Sequence, residues 1–353
     1  MFRKPKALVG LDIGSSAVKA VELKAAGKGY KVTAFGSEPV PPDSISDGAI
    51  IDASAVADAI RRLFESRGIK TREVAASLSG NAVIVKKIAV PVMTDAELAE
   101  AIQWEAEQYI PFDIQDVNLD YQILDRGDPA AGASTMDVLL VAAKKEKIAD
   151  YTGVIAQAGR TAVVVDVDAF ALQNAYEANY ASDHSSVVVL LNAGASATNI
   201  NILHGQQSVF TRDISIGGNA YTDALQRELN LPYETADALK RGHASDGGPS
   251  YDDARPVLRA VTENVMLEIQ KTFDFFKATS SAEKIDRIVL SGGASRAEAF
   301  TDLLADRFEL PVEAFDPFRS VMFDPKKLGV ASADAAPTAA VAVGLALRRG
   351  GDR

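Results

Sequence analysis

The sequence lacks cysteine entirely, and its 353 residues include three histidines and a single tryptophan. Without cysteine the chain has no disulfide framework and no thiol chemistry, which fits a reducing compartment such as the cytoplasm. The histidines have none of the spacing that a transition-metal site requires; they are His184, His204 and His243. These absences exclude disulfide-stabilised scaffolds, thiol enzymes and histidine-based metal centres.

Long apolar runs and basic blocks are also missing. No apolar run approaches the roughly 20 residues of a membrane-spanning helix, and the longest candidate, TAAVAVGLALRR, is too short and predicts a buried helix. The N-terminal MFRKPK is basic, but no signal-peptide core follows it. With a net charge of −11, nucleic acid and anionic lipid are poor candidate partners. We expect a cytoplasmic protein that does not itself insert into a membrane.

The chain contains the same strand–turn–strand unit twice. Residues 7–23, ALVGLDIGSSAVKAVEL, and residues 187–203, VVVLLNAGASATNINIL, each join two apolar strands through a small-residue turn. Each unit precedes a third strand, a helix and a further strand that ends in Leu-Ser-Gly, at 78–80 and at 290–292. The pattern predicts two βββαβα halves. A duplicated α/β fold of this kind places its ligand site in the crevice beyond the strand ends.

The two turns have the composition of phosphate-binding loops. They consist of Gly14, Ser15 and Ser16 in the first copy and Gly194, Ala195 and Ser196 in the second. Small residues there expose backbone amides, which form an anion-binding concavity. Lys19 follows the first turn and can neutralise a phosphate, while Asp12 at the strand end can hold Mg²⁺ through water. Two such hairpins facing one another would hold a triphosphate from both sides.

Further glycine motifs extend this prediction. Gly292, Gly293 and Ala294 follow a strand and lead into a helix, where glycine lets a flat ring or a ribose approach the backbone. Gly217 and Gly218 precede another helix, whose N-terminus favours anions. Neither a GxxxxGK[ST] loop nor a GxGxxG motif is present, so the hairpins would replace both devices. We also assign Thr198 and Lys240 to the nucleotide site.

The order of these motifs resembles the actin/Hsp70/sugar-kinase superfamily. In that superfamily DIGSSAVK, NAGASATNI and VLSGGAS are the first phosphate loop, the second phosphate loop and the adenosine loop. Residues 164–176 are similar to its first connecting segment, and the helix at 338–349, with Gly344, is similar to the second. The resemblance implies an actin-like, ribonuclease H-like two-domain fold that binds ATP and Mg²⁺ in its cleft.

Within the superfamily, AIQWEAEQYIPFDIQDVNLDYQIL at 101–124 resembles the PilM family of type IV pilus assembly proteins. The resemblance covers essentially the whole chain and implies an inserted subdomain of the type found in the cell-division protein FtsA. The subdomain boundaries that we predict are 1–85, 158–186 and 323–353 for 1A, 86–157 for the inserted 1C, 187–217 and 281–322 for 2A, and 218–280 for 2B.

The second phosphate loop departs from the superfamily pattern. Asn192 stands where a metal-orienting Asp is usual. The amide keeps an acceptor oxygen and can still order a hydrated Mg²⁺, but it has no charge and cannot accept a proton from water. We therefore expect ATP binding without a catalytic residue, and slow or absent hydrolysis. A structural role in capping the turn, compatible with this one, is equally consistent with Asn.

The insertion contains the lone tryptophan. Thr94 and Glu97 form a capping box and Pro111 stops the helix, predicting a helix at 95–109. Its apolar face would carry Leu98, Ala101, Ile102 and Tyr109, with Glu105 among them and Trp104 about 100° away. Trp104 either packs against the neighbouring half-domain or lines a groove for a partner peptide. The candidate groove residues are Trp104, Glu105, Gln108, Tyr109, Ile110 and Phe112.

The resemblance implies a cytoplasmic adaptor, peripheral at the inner membrane, that binds the N-terminal peptide of a PilN-like inner-membrane protein. Pilus motor ATPases and self-association into a ring are further implied contacts. A filament-forming protein like FtsA or MreB is an alternative, although the chain ends in ALRRGGDR directly after its last core helix. A small-molecule kinase of the same superfamily is a second alternative, although no carboxylate base near an acceptor is evident.

Overall fold

A computed structural model describes residues 8–127, 132, 134–181, 183–244, 247–280, 284–328 and 332–352. The first half begins with β1 (Val9–Ile13), β2 (Ala17–Ala26), β3 (Gly29–Pro39), β4 (Ile45–Ser46), β5 (Ala49–Ile50), α1 (Ala53–Ser66) and β6 (Glu73–Leu78). The insertion and its return follow as β7 (Val83–Pro91), α2 (Asp95–Glu107), β8 (Val117–Asp125), β9 (Thr135–Lys144), α3 (Lys145–Gln157), β10 (Thr161–Val167) and α4 (Asp168–Asn179).

The second half starts with β11 (Val187–Ala193), β12 (Thr198–His204), β13 (Gln207–Ile214), α5 (Gly218–Leu229), α6 (Tyr233–Lys240) and α7 (Tyr251–Thr279). It ends with β14 (Arg287–Ser291), α8 (Phe300–Phe308), β15 (Val312–Ala314), α9 (Pro325–Leu328) and α10 (Ser332–Ala346). Within the described residues, no helix is both long enough and apolar enough to cross a membrane.

The two main sheets repeat one topology. The first has the strand order β10-β6-β1-β2-β3, and the second, taken from its other edge, has the order β15-β14-β11-β12-β13. In each sheet the first two strands form an antiparallel hairpin and the central strand pairs in parallel with its other neighbour. The predicted duplicated α/β fold is confirmed.

The repeat extends to the register of the hairpins. Asp12 pairs with Lys19 across the first hairpin, and Asn192 pairs with Asn199 across the second. Both pairs are the last but one before their turn. An ion pair in one half therefore occupies the position of an amide pair in the other.

Three apolar cores organise the halves. The first sheet packs on α1 and α3 through residues such as Ile60 and Ile155. The second sheet packs on α7 and α8. A third core, to which Val21, Leu172 and Val343 contribute, joins both sheets to α4 and α10. The halves are therefore held together by an apolar layer as well as by the chain.

The insertion is a three-stranded sheet, ordered β7-β9-β8, with α2 on one face. Strand β7 starts at Val83, three residues before the predicted start of the insertion at 86. Helix α3 was predicted within the insertion, but its apolar face, which includes Tyr151, Val154 and Ile155, packs in the first core. These side chains recur at helical spacing, and their burial against α1 assigns the helix to the first half.

Two helix starts differ from the sequence pattern. The sequence pattern predicts a helix from residue 256, but α7 begins at Tyr251, because Ser250 and Asp253 form a capping box that precedes Pro256. The pattern also predicts a helix from Asp166, but the preceding strand runs through Asp166 and Val167, so α4 begins at Asp168.

Helix α10 makes backbone-level contacts on two sides. A Cβ on Gly344 would lie 1.6 Å from the carbonyl oxygen of Ala171 in α4, and one on Gly10 would lie 2.0 Å from that of Ala342. No side chain fits at either position, which explains the glycine that the sequence places in this helix. Helix α10 is thus pressed against β1 and α4 at once.

Candidate functional site

The first hairpin brings an ion pair to the end of β1. The Lys19 Nζ donates to the Asp12 Oδ2 at 2.8 Å, and both side chains are mostly buried. The turn is closed by the Gly14 amide, which donates to the Ala17 carbonyl at 3.2 Å. Within the described chain, the amides of Ser15 and Ser16 donate to no backbone carbonyl. These two amides are therefore available to an anion, and phosphate binding by this turn stays a prediction, in which Lys19 would have to share its charge between Asp12 and a phosphate.

The second hairpin is built in the same way with neutral groups. The Gly194 amide donates to the Ala197 carbonyl at 2.9 Å. The Asn192 Nδ2 donates to the Asn199 Oδ1 at 3.1 Å, and the Asn192 Oδ1 accepts from Ser291 Oγ at 3.3 Å. These bonds run sideways to the neighbouring strands. Among the described residues, the Asn192 side chain bonds to β12 and β14 and not to the turn that follows it, so the turn-capping role that we considered for Asn192 is not seen.

The predicted glycine motifs of the second half meet around this hairpin. The amide of Gly218 donates to the Gly194 carbonyl at 2.9 Å, and the Gly218 Cβ position lies 3.6 Å from the Ala294 Cβ. Gly292 has φ +90°, and a Cβ there would lie 2.1 Å from the Ala193 carbonyl oxygen. Gly293 follows and lies beside Thr338 of α10. These residues lie together beside the second hairpin, where backbone contacts bury Gly217 and Gly292 and leave Gly293 exposed at the position predicted to meet a flat group.

Two predicted residues support this surface through contacts inside the protein. The buried Thr198 Oγ1 donates to the Ile216 carbonyl at 2.8 Å. The Lys240 Nζ donates to the Gly218 carbonyl at 3.1 Å and to Thr222 Oγ1 at 2.6 Å, and it pairs with Asp237 at 2.8 Å. Both side chains hold the loop before α5. The Lys240 ammonium and the Thr198 hydroxyl are therefore already bonded to groups of the protein itself.

A chain of hydrogen bonds links the two halves across the cleft. The Asn199 Nδ2 donates to the Asp213 Oδ1 at 2.8 Å, and the Asp213 Oδ2 accepts from the Gly80 amide at 2.6 Å. Since Asn199 also accepts from Asn192, the second phosphate loop is connected to the loop that enters the insertion. The sequence pattern did not reveal Asp213, because only the strand register brings it to this place.

A further carboxylate, Asp168, was missed by the sequence reasoning. It stands at the first position of α4, half-buried, and its Oδ1 accepts from Ser77 Oγ at 2.5 Å. Burial, followed by repulsion from Asp12, raises the pKa of Asp168 to about 6, and the hydroxyls of Ser77 and Ser79 oppose that rise. The one available signal was a carboxylate directly after a buried strand. The cleft therefore contains a carboxylate that the sequence reasoning did not single out.

These groups fit a hydrated Mg²⁺ and a polyphosphate. Free turn amides and a lysine suit phosphate oxygens, while Asp12 and Asp168 supply hard oxygen ligands. Mg²⁺ in such sites is held by one or two carboxylates, waters and the phosphates themselves. Accordingly, no three acidic or histidine side chains within the described residues come close enough to hold a metal alone.

The predicted partner surface lies on α2. The capping box is confirmed, with the Thr94 amide donating to Glu97 Oε2 at 2.8 Å. Leu98 and Ile102 are buried against the small sheet, as predicted. Trp104 is 72% exposed, so the interpretation in which it packs against the neighbouring half-domain is wrong. Gln108, one turn further on, is exposed beside it.

The other candidate groove residues divide by burial. Glu105 is half-buried at the edge of the apolar face. Lys86 Nζ lies 5.1 Å from the Tyr109 ring centroid, and Lys144 Nζ lies 4.1 Å from that of Phe112. Ile110 is only 6% exposed within the core of the insertion, which corrects its assignment to the groove. Trp104 and Gln108 form the accessible part of the surface.

The mirrored sheets, the paired hairpins and the helices between them define an actin-like protein of two duplicated domains. Residues 10–350 match the family described as type IV pilus assembly protein PilM, and the chain belongs to that family. A chain of the solved PilM–PilN type IV pilus biogenesis complex has 31% sequence identity and a TM-score of 0.86, over 99% of this chain and 100% of that one.

More distant proteins share the fold. The cell division protein FtsA of Enterococcus hirae is 24% identical over 350 residues, which span 88% of this chain and 78% of FtsA. MreB5 of Spiroplasma citri, solved with bound AMPPNP, is 14% identical with a TM-score of 0.51, over 97% of this chain and 95% of that chain. The FtsA-like character expected from the sequence is confirmed.

Proposed function

We propose that this protein is a nucleotide-binding adaptor of type IV pilus assembly that captures the N-terminal peptide of a PilN-like inner-membrane protein. The similarity to a chain of the PilM–PilN complex over nearly the whole length carries the proposal. In this role the protein acts at the cytoplasmic face of the inner membrane, held there by its partner. Contacts with motor ATPases and closure into a ring stay predictions.

We infer that the cleft binds Mg-ATP. Two turns with free amides, the glycines at Gly218 and Gly293, and the carboxylates of Asp12 and Asp168 support this inference. Slow hydrolysis follows from Asn192, which cannot take a proton from water. Asp168, beside the Ser77 hydroxyl and near Asp12, is the carboxylate of the cleft to test for a role in any residual hydrolysis.

The peptide site is tested at Trp104, whose exposure makes it both a contact and a reporter. In the wild-type protein, titration with a PilN-like N-terminal peptide should shift tryptophan emission to shorter wavelength, because binding removes the indole from water. Trp104→Ala should weaken peptide binding about tenfold or more in calorimetry, as expected for a buried aromatic anchor. ATP affinity should stay unchanged in the same variant.

Phe275→Ala provides the matched control. Phe275 is another exposed aromatic residue, 54% accessible on α7 of the second half, and its loss should leave peptide affinity unaltered. If Trp104→Ala binds the peptide as tightly as the wild type, the groove lies elsewhere. If the wild-type protein does not bind the peptide at all, the proposed adaptor function is wrong.

Filament formation is the competing function, favoured by the FtsA relatives. It predicts nucleotide-dependent sedimentation of the purified protein, whereas an adaptor stays in the supernatant. The carboxylate of Asp168 is compatible with the alternative function of a small-molecule kinase, since such kinases need a carboxylate base. Phosphorylation of a small hydroxylated acceptor would establish that alternative, and ATP retained without turnover would favour the adaptor.

A further inference from the structure

Lys147, in the first turn of α3, is a mostly buried lysine without a direct ion-pair partner among the described residues. It is only 9% exposed, and its Nζ lies 5.0 Å from the centroid of the Tyr151 ring. Among the residues that the structure describes, the ammonium has neither a hydrogen bond nor an ion pair. Lysines are almost never buried without a partner, because losing water costs free energy that only an anion restores. The Lys147 ammonium, held in a mostly buried side chain and not paired, is therefore available to an anionic ligand.

The electrostatics of Lys147 agree with this reading. Burial lowers the pKa of Lys147, and the nearby carboxylates of Asp150 and Asp168 oppose that shift. Asp168 lies close enough to affect the lysine but does not pair with it. The ammonium is therefore not neutralised by direct contact with either carboxylate and can still bind an anion.

The ammonium lies at the rim of the predicted phosphate site. Its Nζ is 3.0 Å from the Cβ position of Gly48, which belongs to the turn between β4 and β5. That position is 3.7 Å from the carbonyl oxygen of Ser79, directly after β6. Strand β6 runs parallel to β1, so its end lies beside the first phosphate turn. The Tyr151 hydroxyl donates to the Gly48 carbonyl at 3.0 Å and fixes this arrangement.

The duplication indicates which end of a nucleotide reaches Lys147. Ser79 and Gly80 in the first half correspond to Ser291 and Gly292 in the second, since β6 and β14 occupy equivalent places in the two sheets. The exposed Gly293 suits a ring, and the two turns suit phosphates. A nucleotide whose ring lies at Gly293 and whose phosphates cross both turns therefore ends beside Ser79.

We propose that Lys147 binds the terminal phosphate of a nucleoside triphosphate and so distinguishes it from the diphosphate. This rests on the proposed nucleotide binding and adds a residue from outside both phosphate hairpins. Helix α3 follows β9 of the insertion without a break. The contact would thus make the insertion sensitive to the terminal phosphate.

The experiment compares Lys147→Met with Lys145→Met, an exposed lysine two positions earlier on the same helix. Affinities for ATP and ADP are measured with Mg²⁺ by calorimetry. In Lys147→Met the ATP affinity should fall about tenfold to a hundredfold, the range for a lost charge-assisted contact, and the ADP affinity less than about threefold. In Lys145→Met both affinities should stay at the wild-type values.

Equal losses for ATP and ADP, or no loss, would overturn the assignment. Lys147→Gln, which keeps polarity without charge, should show the same selective loss. Because both variants remove an unpaired buried charge, they should melt at or above the wild-type temperature without nucleotide, and unfolding of both would show that Lys147 is structural. A wild-type protein that binds neither nucleotide would instead defeat the proposed function of the cleft.

Discussion

Asp168→Asn should stabilise the nucleotide-free protein, and more so at pH 8 than at pH 5. The substitution keeps an Oδ1 acceptor for the Ser77 hydroxyl, which lies 2.5 Å away in the wild type. It removes the charge, and the amide nitrogen cannot accept the hydrogen bond of the Ser79 hydroxyl. The carboxyl group has a pKa raised to about 6 in the folded protein, chiefly by burial and then by Asp12. The change therefore removes the cost of ionising this acid, less the contribution of the Ser79 hydrogen bond.

The sign follows from where the proton is bound. A group whose pKa is higher in the folded state binds its proton more tightly there, so stability falls as pH rises from about 4 to about 6. Above that range the cost is constant. For a rise of roughly two units it amounts to about 3 kcal/mol at pH 8 and roughly half of that at pH 5. The melting temperature of Asp168→Asn should thus exceed the wild-type value by on the order of 5 °C at pH 8.

Thermal unfolding in metal-free buffer at pH 5, 6, 7 and 8 provides the assay. Asp306→Asn is the control, since Asp306 is an exposed aspartate on α8 of the second half and its replacement should change stability little. A stability difference that does not vary with pH would refute the reasoning, as would a variant less stable than wild type at pH 8. Added Mg-ATP should reduce the difference, because a cation near Asp12 and Asp168 compensates the charge.

Three further changes test the cleft. Lys19→Ala should weaken ATP binding about tenfold or more in calorimetry, and an unchanged affinity would remove the first hairpin from the site. Asn192→Asp should keep ATP affinity and raise phosphate release, whereas an unchanged rate would show that the missing carboxylate is not the only defect. Asp213→Ala should speed amide hydrogen exchange at Gly80, whose amide loses its acceptor; equal protection would argue against a link between the halves there.

The duplicated fold was predictable because its signals are local. Each hairpin places apolar strands around a small-residue turn within 17 residues, and the chain repeats it. Strand β7 was not predicted, because Lys86 interrupts the alternation on its inward face. The structure accommodates this lysine by placing its ammonium over the Tyr109 ring at the edge of the small sheet.

The loops of the site could also be predicted from the sequence, but the side chains that contact those loops could not. Asn199 and Asp213 become neighbours of Asn192 only through the register of three strands. Asp168 owes its raised pKa first to burial and then to repulsion from Asp12 and Asp213, which lie far from it along the chain. Burial of Lys147 likewise depends on a turn about 100 residues earlier. Contacts over such separations leave no periodic trace in the sequence.

The glycine contacts of α10 restrict how the cleft can open. With its backbone against Ala171 at Gly344 and against Gly10 at Ala342, this helix cannot slide along either neighbour without a backbone clash. Both contacts lie in the first half, so α10 is fixed to β1 and α4 and moves with them. The carbonyl of Pro337, in the same helix, accepts from the Gly292 amide at 2.6 Å. A helix held by the first half thus reaches the glycine loop of the second half, and any relative motion of the halves must either carry this hydrogen bond along or break it.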